Sequence, residues 1–131
     1  MVKQQSGFTL IELIAVIVIL GILAATAIPT FVDLSTAAEE ASVRGIAGAL
    51  GAASALNHAN NIADDAGLTI ITAVVIVDNC EDAALLLDGG LDTDYTIPTV
   101  AIAGEGVAAT CSVELVADAA ITADFTGFSV Q

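Results

Sequence analysis

The chain has very little positive charge, few aromatic side chains, and almost no cysteine or histidine. Of its 131 residues only Lys3 and Arg44 are strong bases, against 16 acidic residues, for a formal net charge of −14. Nucleic-acid binding rests on clustered Lys and Arg, so a surface of this sign repels nucleic acid and anionic lipid, and no direct nucleic-acid partner is expected. Such a charge favours solubility in salt, where screening shortens self-repulsion. Trp is absent and aromatics make up only 4% of the chain, so any core must be built from small aliphatic side chains and stay shallow. The lone His58 lies far in sequence from the only two cysteines, Cys80 and Cys111. Structural zinc wants four ligands, so this set does not form a zinc site. His58 is expected to be a packed or surface side chain. No Ser/His/Asp set, phosphate-binding glycine loop or pair of shielded carboxylates can be picked out. The chain is not expected to be an enzyme, and no cofactor is expected.

What the chain does have is apolar length. Hydrophobic residues make up 56% of it, and much of the excess lies between Phe8 and Ile28 (FTLIELIAVIVILGILAATAI). That run is apolar on all faces and long enough to cross a bilayer core of about 30 Å as a helix. It carries one charge, Glu12, near its start. A carboxylate in hydrocarbon costs roughly 2.5 to 3.5 kcal/mol on insertion scales and is usually there to pair with something. No Lys, Arg or His lies within the run. The nearest candidate cation would be an α-amino group made by cutting the chain between Gly7 and Phe8.

Gly21 and Pro29 are the only helix breakers in this region. Pro29 is expected to kink the helix rather than end it, because helical signal resumes to about Ala63. Val43, Ile46, Leu50, Ala53 and Leu56 follow at spacings of three and four, one face of a helix, with Asp33, Glu39, Glu40 and Arg44 mostly off it. Gly45, Gly48 and Gly51 recur among alanines, which lets another backbone approach closely. A helix from Phe8 to Ala63 would be about 80 Å long. That length implies a first half buried in a membrane or filament and a second half in a globular head.

The helix is expected to end around Asn60-Asn61 and Asp64–Gly67. Thr69–Val77 is rich in β-branched residues and reads as a buried strand. Glu81–Asp88 reads as a short helix starting near Cys80 and stopping at Gly89-Gly90. Tyr95–Ala103 reads as a weaker strand, with Pro98 marking an edge or irregular stretch. Val107–Ala117 and Ala120–Val130 read as strands joined by turns at Gly104-Glu105-Gly106 and around Ala117-Asp118. The expected class is α+β: one very long N-terminal helix, its first half transmembrane or filament core, packed on a small antiparallel sheet head.

The segment from Gly7 to Pro29 resembles the N-terminus of type IV pilins and the related pseudopilins. The resemblance rests on Gly7 before a scissile bond, aromatic Phe8, Glu12 as the fifth residue after the cut, the apolar run, Gly21 and Pro29. Phe31–His58, with its Ser42-Val43-Arg44-Gly45 pattern, is also similar to pilins of the mannose-sensitive haemagglutinin type. The resemblance implies that a prepilin peptidase cuts after Gly7 and methylates the new amine of Phe8. It implies that Glu12 pairs with the N-terminus of a neighbouring subunit, and that Gly21 and Pro29 bracket a segment able to lose helicity in the filament. The chain would then consist of a leader (1–7), a transmembrane and assembly helix (8–29) and a head (30–131). The head would comprise the helix half 30–63 and a disulfide-containing sheet region 68–131. The function implied is the major subunit of an extracellular type IV pilus, held in the bacterial inner membrane as a single pass before assembly. Partners would be identical subunits, the peptidase and an inner-membrane assembly platform.

Cys80 and Cys111 fall on the part that would lie outside the inner membrane, where disulfides persist, and a bond between them is expected. Asp88, Asp92 and Asp94 around Gly89-Gly90 are a weak candidate for Ca²⁺, because oxygen ligands on a turn suit that ion. Major pseudopilins of type II secretion resemble this chain in length and often carry calcium, which makes them the alternative. A remoter one is a Sec-secreted soluble binding module starting at Ile28, since Ala25-Thr26-Ala27 has the A-x-A form of a signal cleavage site.

Overall fold

A computed structural model describes residues 7–131, with the side chains of 28–33 outside the description. The leader residues 1–6 and the expected kink at Pro29 therefore lie outside the described residues. The chain forms two compact units, one up to Ala37 and one from Ala38. A single α-helix, α1 (Leu10–Asp65), supplies the first unit and continues into the second.

In the second unit α1 buries Val43, Ala47, Leu50, Ser54, Asn57 and Asn61. Their spacing alternates between four and three, so one face of the helix turns inward. This face differs from the expected stripe at its C-terminal end. Leu56 is 63% exposed, and the polar Ser54, Asn57 and Asn61 are buried instead. Two of these polar side chains take up backbone groups that have no ladder partner. Ser54 Oγ accepts from Phe128 N–H at 2.8 Å, and the Asn57 amide both accepts from Val75 N–H (2.9 Å) and donates to Val75 C=O (2.8 Å).

The sheet has three antiparallel strands in the order β1 (Tyr95–Thr96), β2 (Ala108–Leu115) and β3 (Asp118–Phe128). Period-two alternation sends Cys111, Val113 and Leu115 of β2, and Ile121 and Phe125 of β3, into the core. That core also takes Val43, Ala47 and Leu50 from α1 and Val77, Ala83, Ile97 and Ile102 from the connections. The expected last two strands are present, with their turn at Val116-Ala117.

Two expected strands are corrected. Tyr95–Ala103 pairs as a strand only over Tyr95–Thr96. Pro98 has no N–H to give the ladder, and the chain beyond it turns to the segment before the 3-10 helix. There Cys80 N–H donates to Val100 C=O at 2.9 Å, and Ile102 N–H donates to Asp78 C=O at 2.8 Å. Thr69–Val77 is not a buried strand. Only Val77 makes a bridge, to Val130, while Leu68, Ile71 and Ile76 face solvent. A continuous β-branched run fits a strand covered on both faces, but Asn57 holds the backbone of this segment at Val75. Replacing Asn57 with Ala removes the side-chain partner of both part-buried Val75 groups, at about 1 kcal/mol for each bond. Faster amide exchange at Val75 is the expected readout; unchanged exchange would refute the role of Asn57.

The 3-10 helix Cys80–Leu86 begins where a short helix was expected, under a reciprocal cap. Asn79 Oδ1 accepts from the Glu81 and Asp82 N–H groups, and Asp82 Oδ2 accepts from Asn79 N–H. Its first residue forms a disulfide with Cys111 at the middle of β2, with Cα atoms 5.6 Å apart. Gly127 of β3 passes directly over this bond. A Cβ there would lie 2.9 Å from Cys111 Sγ and 3.2 Å from Ile102 Cδ1. Gly127→Ala is expected to destabilise the head by about 1 to 3 kcal/mol through overpacking, read as a lower melting temperature. An unchanged melt would mean that the disulfide is not held this closely.

Candidate functional site: the N-terminal assembly helix

Gly7, Phe8 and Thr9 precede the first turn of α1 without regular secondary structure, with Phe8 88% exposed. Thr9 then caps the helix. Its Oγ1 accepts from Glu12 N–H at 3.3 Å, while Glu12 Oε2 accepts from Thr9 N–H at 2.8 Å and from Thr9 Oγ1 at 2.7 Å. This reciprocal arrangement satisfies backbone donors that the first turn otherwise leaves unpaired. It also fixes the carboxylate beside the start of its own helix, four residues after Phe8. Both donors go to Oε2, so neither uses Oε1.

From Leu10 to Ala27 the helix is apolar enough to cross a membrane, and none of that stretch is buried within the chain. Leu10, Ile11, Leu13 and the aliphatic residues that follow are largely exposed on every side. A helix that is hydrophobic all round and uncovered by its own chain is built for lipid or for other helices. Thr26, the second polar side chain of the stretch, turns its hydroxyl back onto the helix and donates to the carbonyls of Ile22 (3.3 Å) and Leu23 (3.0 Å). It therefore presents no unpaired donor to hydrocarbon. Gly21 has open space where a Cβ would stand. The side chain of Pro29 lies outside the described residues.

The other sequence candidates lie in the second unit. Cys80 and Cys111 are joined, as expected. Asp88, Asp92 and Asp94 are not brought together: among the described residues no three acidic, His or Cys side chains converge on a point that would hold an ion. Asp92 Oδ1 instead accepts from Asp94 N–H at 3.0 Å, an ordinary turn bond, and the Asp94 carbonyl takes Val116 N–H at 2.9 Å. His58 stacks on Phe128 with ring centroids 4.9 Å apart and planes 2° from parallel, a packing role. Of Gly45, Gly48 and Gly51 only Gly51 has a close neighbour, with Phe125 Cβ at 3.7 Å and Thr126 N at 3.9 Å from where its Cβ would be. Gly45 and Gly48 have none and do not serve packing on the sheet. The sequence reading missed Thr9, although Thr9-x-x-Glu12 just before an apolar run carries the form of a capping box.

A family model, the prokaryotic N-terminal methylation motif, matches residues 2–28, so the segment containing Gly7, Phe8 and Glu12 has the form of chains that are methylated at a new N-terminus. The chain is also similar to the type IV narrow pilus major component PilA5 of Thermus thermophilus, with 56% identity over 53 residues. The match spans 40% of this chain and 46% of that protein, less than half of each. No solved structure matches the chain significantly. Both matches support a type IV pilin.

Proposed function

We propose that the chain is the major structural subunit of an extracellular type IV pilus. The observation that carries this reading is the Leu10–Ala27 helix, exposed throughout and bearing one carboxylate at its N-terminus within the methylation motif. In this reading a prepilin peptidase cuts between Gly7 and Phe8 and methylates Phe8. The segment 8–29 first anchors the subunit in the inner membrane and then, handed on by an assembly platform, bundles with its counterparts in the filament core. Residues 30–131 form the head, whose acidic surface faces water.

Burial of the apolar helix drives bundling only where lipid is left behind, since lipid tails are as apolar as the helices they surround. Glu12 supplies direction. Its carboxylate is drawn to the Phe8 amine of a neighbour and sets the axial register between subunits. The role is structural, with no catalytic step.

The test is to shear filaments from cells and identify their main protein. The reading expects this chain as the dominant component, and filaments absent when it is deleted. Sheared filaments that lack the chain, or persist without it, would overturn the reading.

A further inference from the structure

Within the second unit, the two flanks of α1 on either side of its buried face differ in character. One flank is apolar. Leu56, Leu68 and Leu85 are each more than 60% exposed, and Ile71 is completely exposed at 102%. Two shallow concavities of about 360 and 370 Å³ share Leu56, Asn60 and Thr72, and their walls carry one charged side chain, Asp88. The other flank is a groove of about 650 Å³ between α1 and β3, floored by Gly48, Gly51 and Ala52 with Phe125 across from them, and holding Arg44 and Asp124. At 100° per residue, the α1 positions of the two flanks are centred about 150° apart around the helix.

We propose that these flanks bind each other between copies: the Ile71–Leu56 surface of one subunit seats in the Arg44–Phe125 groove of the next. Charge selects the partner. In a chain of net charge −14, two copies meet most readily where carboxylates are scarce, and the apolar flank is such a place. The groove contains Arg44, the one strong base of the second unit, whose existing partner Glu40 is an exposed neighbour one turn away at 3.3 Å. Such an exposed pair is weak and can be rearranged. Asp88 at the rim of the apolar flank has the sign to meet Arg44.

An uncharged β-branched segment left in water is also a liability for uncontrolled association, which a dedicated cover removes. Because the two flanks are different surfaces on opposite sides of the helix, the contact is heterologous. It leaves a free apolar flank at one end and a free groove at the other, so it propagates instead of closing into a dimer. This inference rests on the filament reading and adds the head surfaces that pack within it.

The test uses surface-assembled full-length protein. Ile71→Cys and Ala52→Cys in one chain, treated with a short bismaleimide, are expected to give a ladder of cross-linked multimers, with neither single variant cross-linking. Dimers from Ile71→Cys alone would mean that like flanks meet, and would overturn the pairing. So would an absence of cross-links in intact filaments. Independently, Ile71→Asp, which adds a charge to a side chain with nothing packed on it, is expected to lower filament yield at least tenfold, with cleavage and head melting unchanged and Ile71→Val at parental yield. Parental yield from Ile71→Asp would refute the contact. Failure of the filament reading is distinguishable, because the unsubstituted chain would then be missing from sheared filaments.

Discussion

Replacing Glu12 with Gln is expected to remove filaments from the cell surface, by tenfold or more, while the chain is still inserted and cut after Gly7. Gln keeps the length of the side chain and an oxygen able to accept from Thr9, which now donates to Glu12 Oε2 through both N–H and hydroxyl. The helix cap therefore survives, and the charge is what is lost. At about 4 Å and an effective dielectric near 20, a carboxylate and an amine attract by about 4 kcal/mol. Desolvation offsets much of that, so the pair contributes more to register than to net stability. Neutral Gln is easier to hold in hydrocarbon than a carboxylate, which leaves insertion with no reason to fail. Electron-microscopic filament counts beside an immunoblot of cut and uncut chain separate the two steps. Normal filament numbers in Glu12→Gln would contradict charge pairing, and failure to cut would move the role of Glu12 to processing.

The second large effect belongs to the disulfide. Changing both Cys80 and Cys111 to Ser opens a loop with a sequence separation of 31 residues and leaves two polar side chains where both sulfurs are buried. On the chain-entropy model a loop of that length is worth about 3 to 4 kcal/mol. For a head of this size that corresponds to a fall in melting temperature of roughly 15 to 25 °C. The bond joins the start of the 3-10 helix to the middle of β2, and Phe125 of β3 lies opposite Cys111 in the ladder. Its loss should therefore loosen the sheet as well as the connection. Thermal melts of the full chain in detergent, for the variant and for the parent under reductant, are expected to coincide at the lower temperature. A drop under 5 °C would show that packing around Val113 and Phe125 holds the head without the bond.

The parts of this molecule that were legible in the sequence are those with strict periodicity and a covered face. The all-apolar run before Pro29, the three-and-four spacing around Val43 and Leu50, and the alternation through Cys111 and Phe125 each describe an element whose pattern is unbroken over several turns or residues. Thr69–Val77 misled for the opposite reason. Its β-branched run looks buried, but none of the described residues covers Ile71, and Asn57 takes the Val75 groups that a neighbouring strand would have used. Leu56 misled in the same way, fitting the helical stripe yet facing outward. A pattern of apolar residues reports that a surface is to be covered, and is silent on whether the cover comes from the same chain.

Polar detail at the helix start was legible in principle. Thr9 and Glu12 stand three apart ahead of an apolar run, the spacing of a reciprocal cap, but the unusual charge in the membrane stretch drew the reading to an intermolecular partner alone. The structure adds that Glu12 already has a local partner in its own subunit. On the pairing proposal, this local partner is what holds the carboxylate before assembly. The three aspartates near Gly89-Gly90 show the reverse error: in so acidic a chain, proximity in sequence is common, and these side chains do not converge; Asp92 makes a turn bond instead.

The central claim is that this chain is cut after Gly7 and assembled through Phe8 and Glu12, and the intact mass and N-terminal sequence of the protein sheared from the cell surface test it most directly. The account predicts a chain that begins at Phe8, carries one added methyl group, and is two hydrogens lighter than its reduced form because Cys80 and Cys111 are joined. A chain beginning at Ile28 would contradict it, because the apolar helix and Glu12 would both have been removed before the protein left the cell.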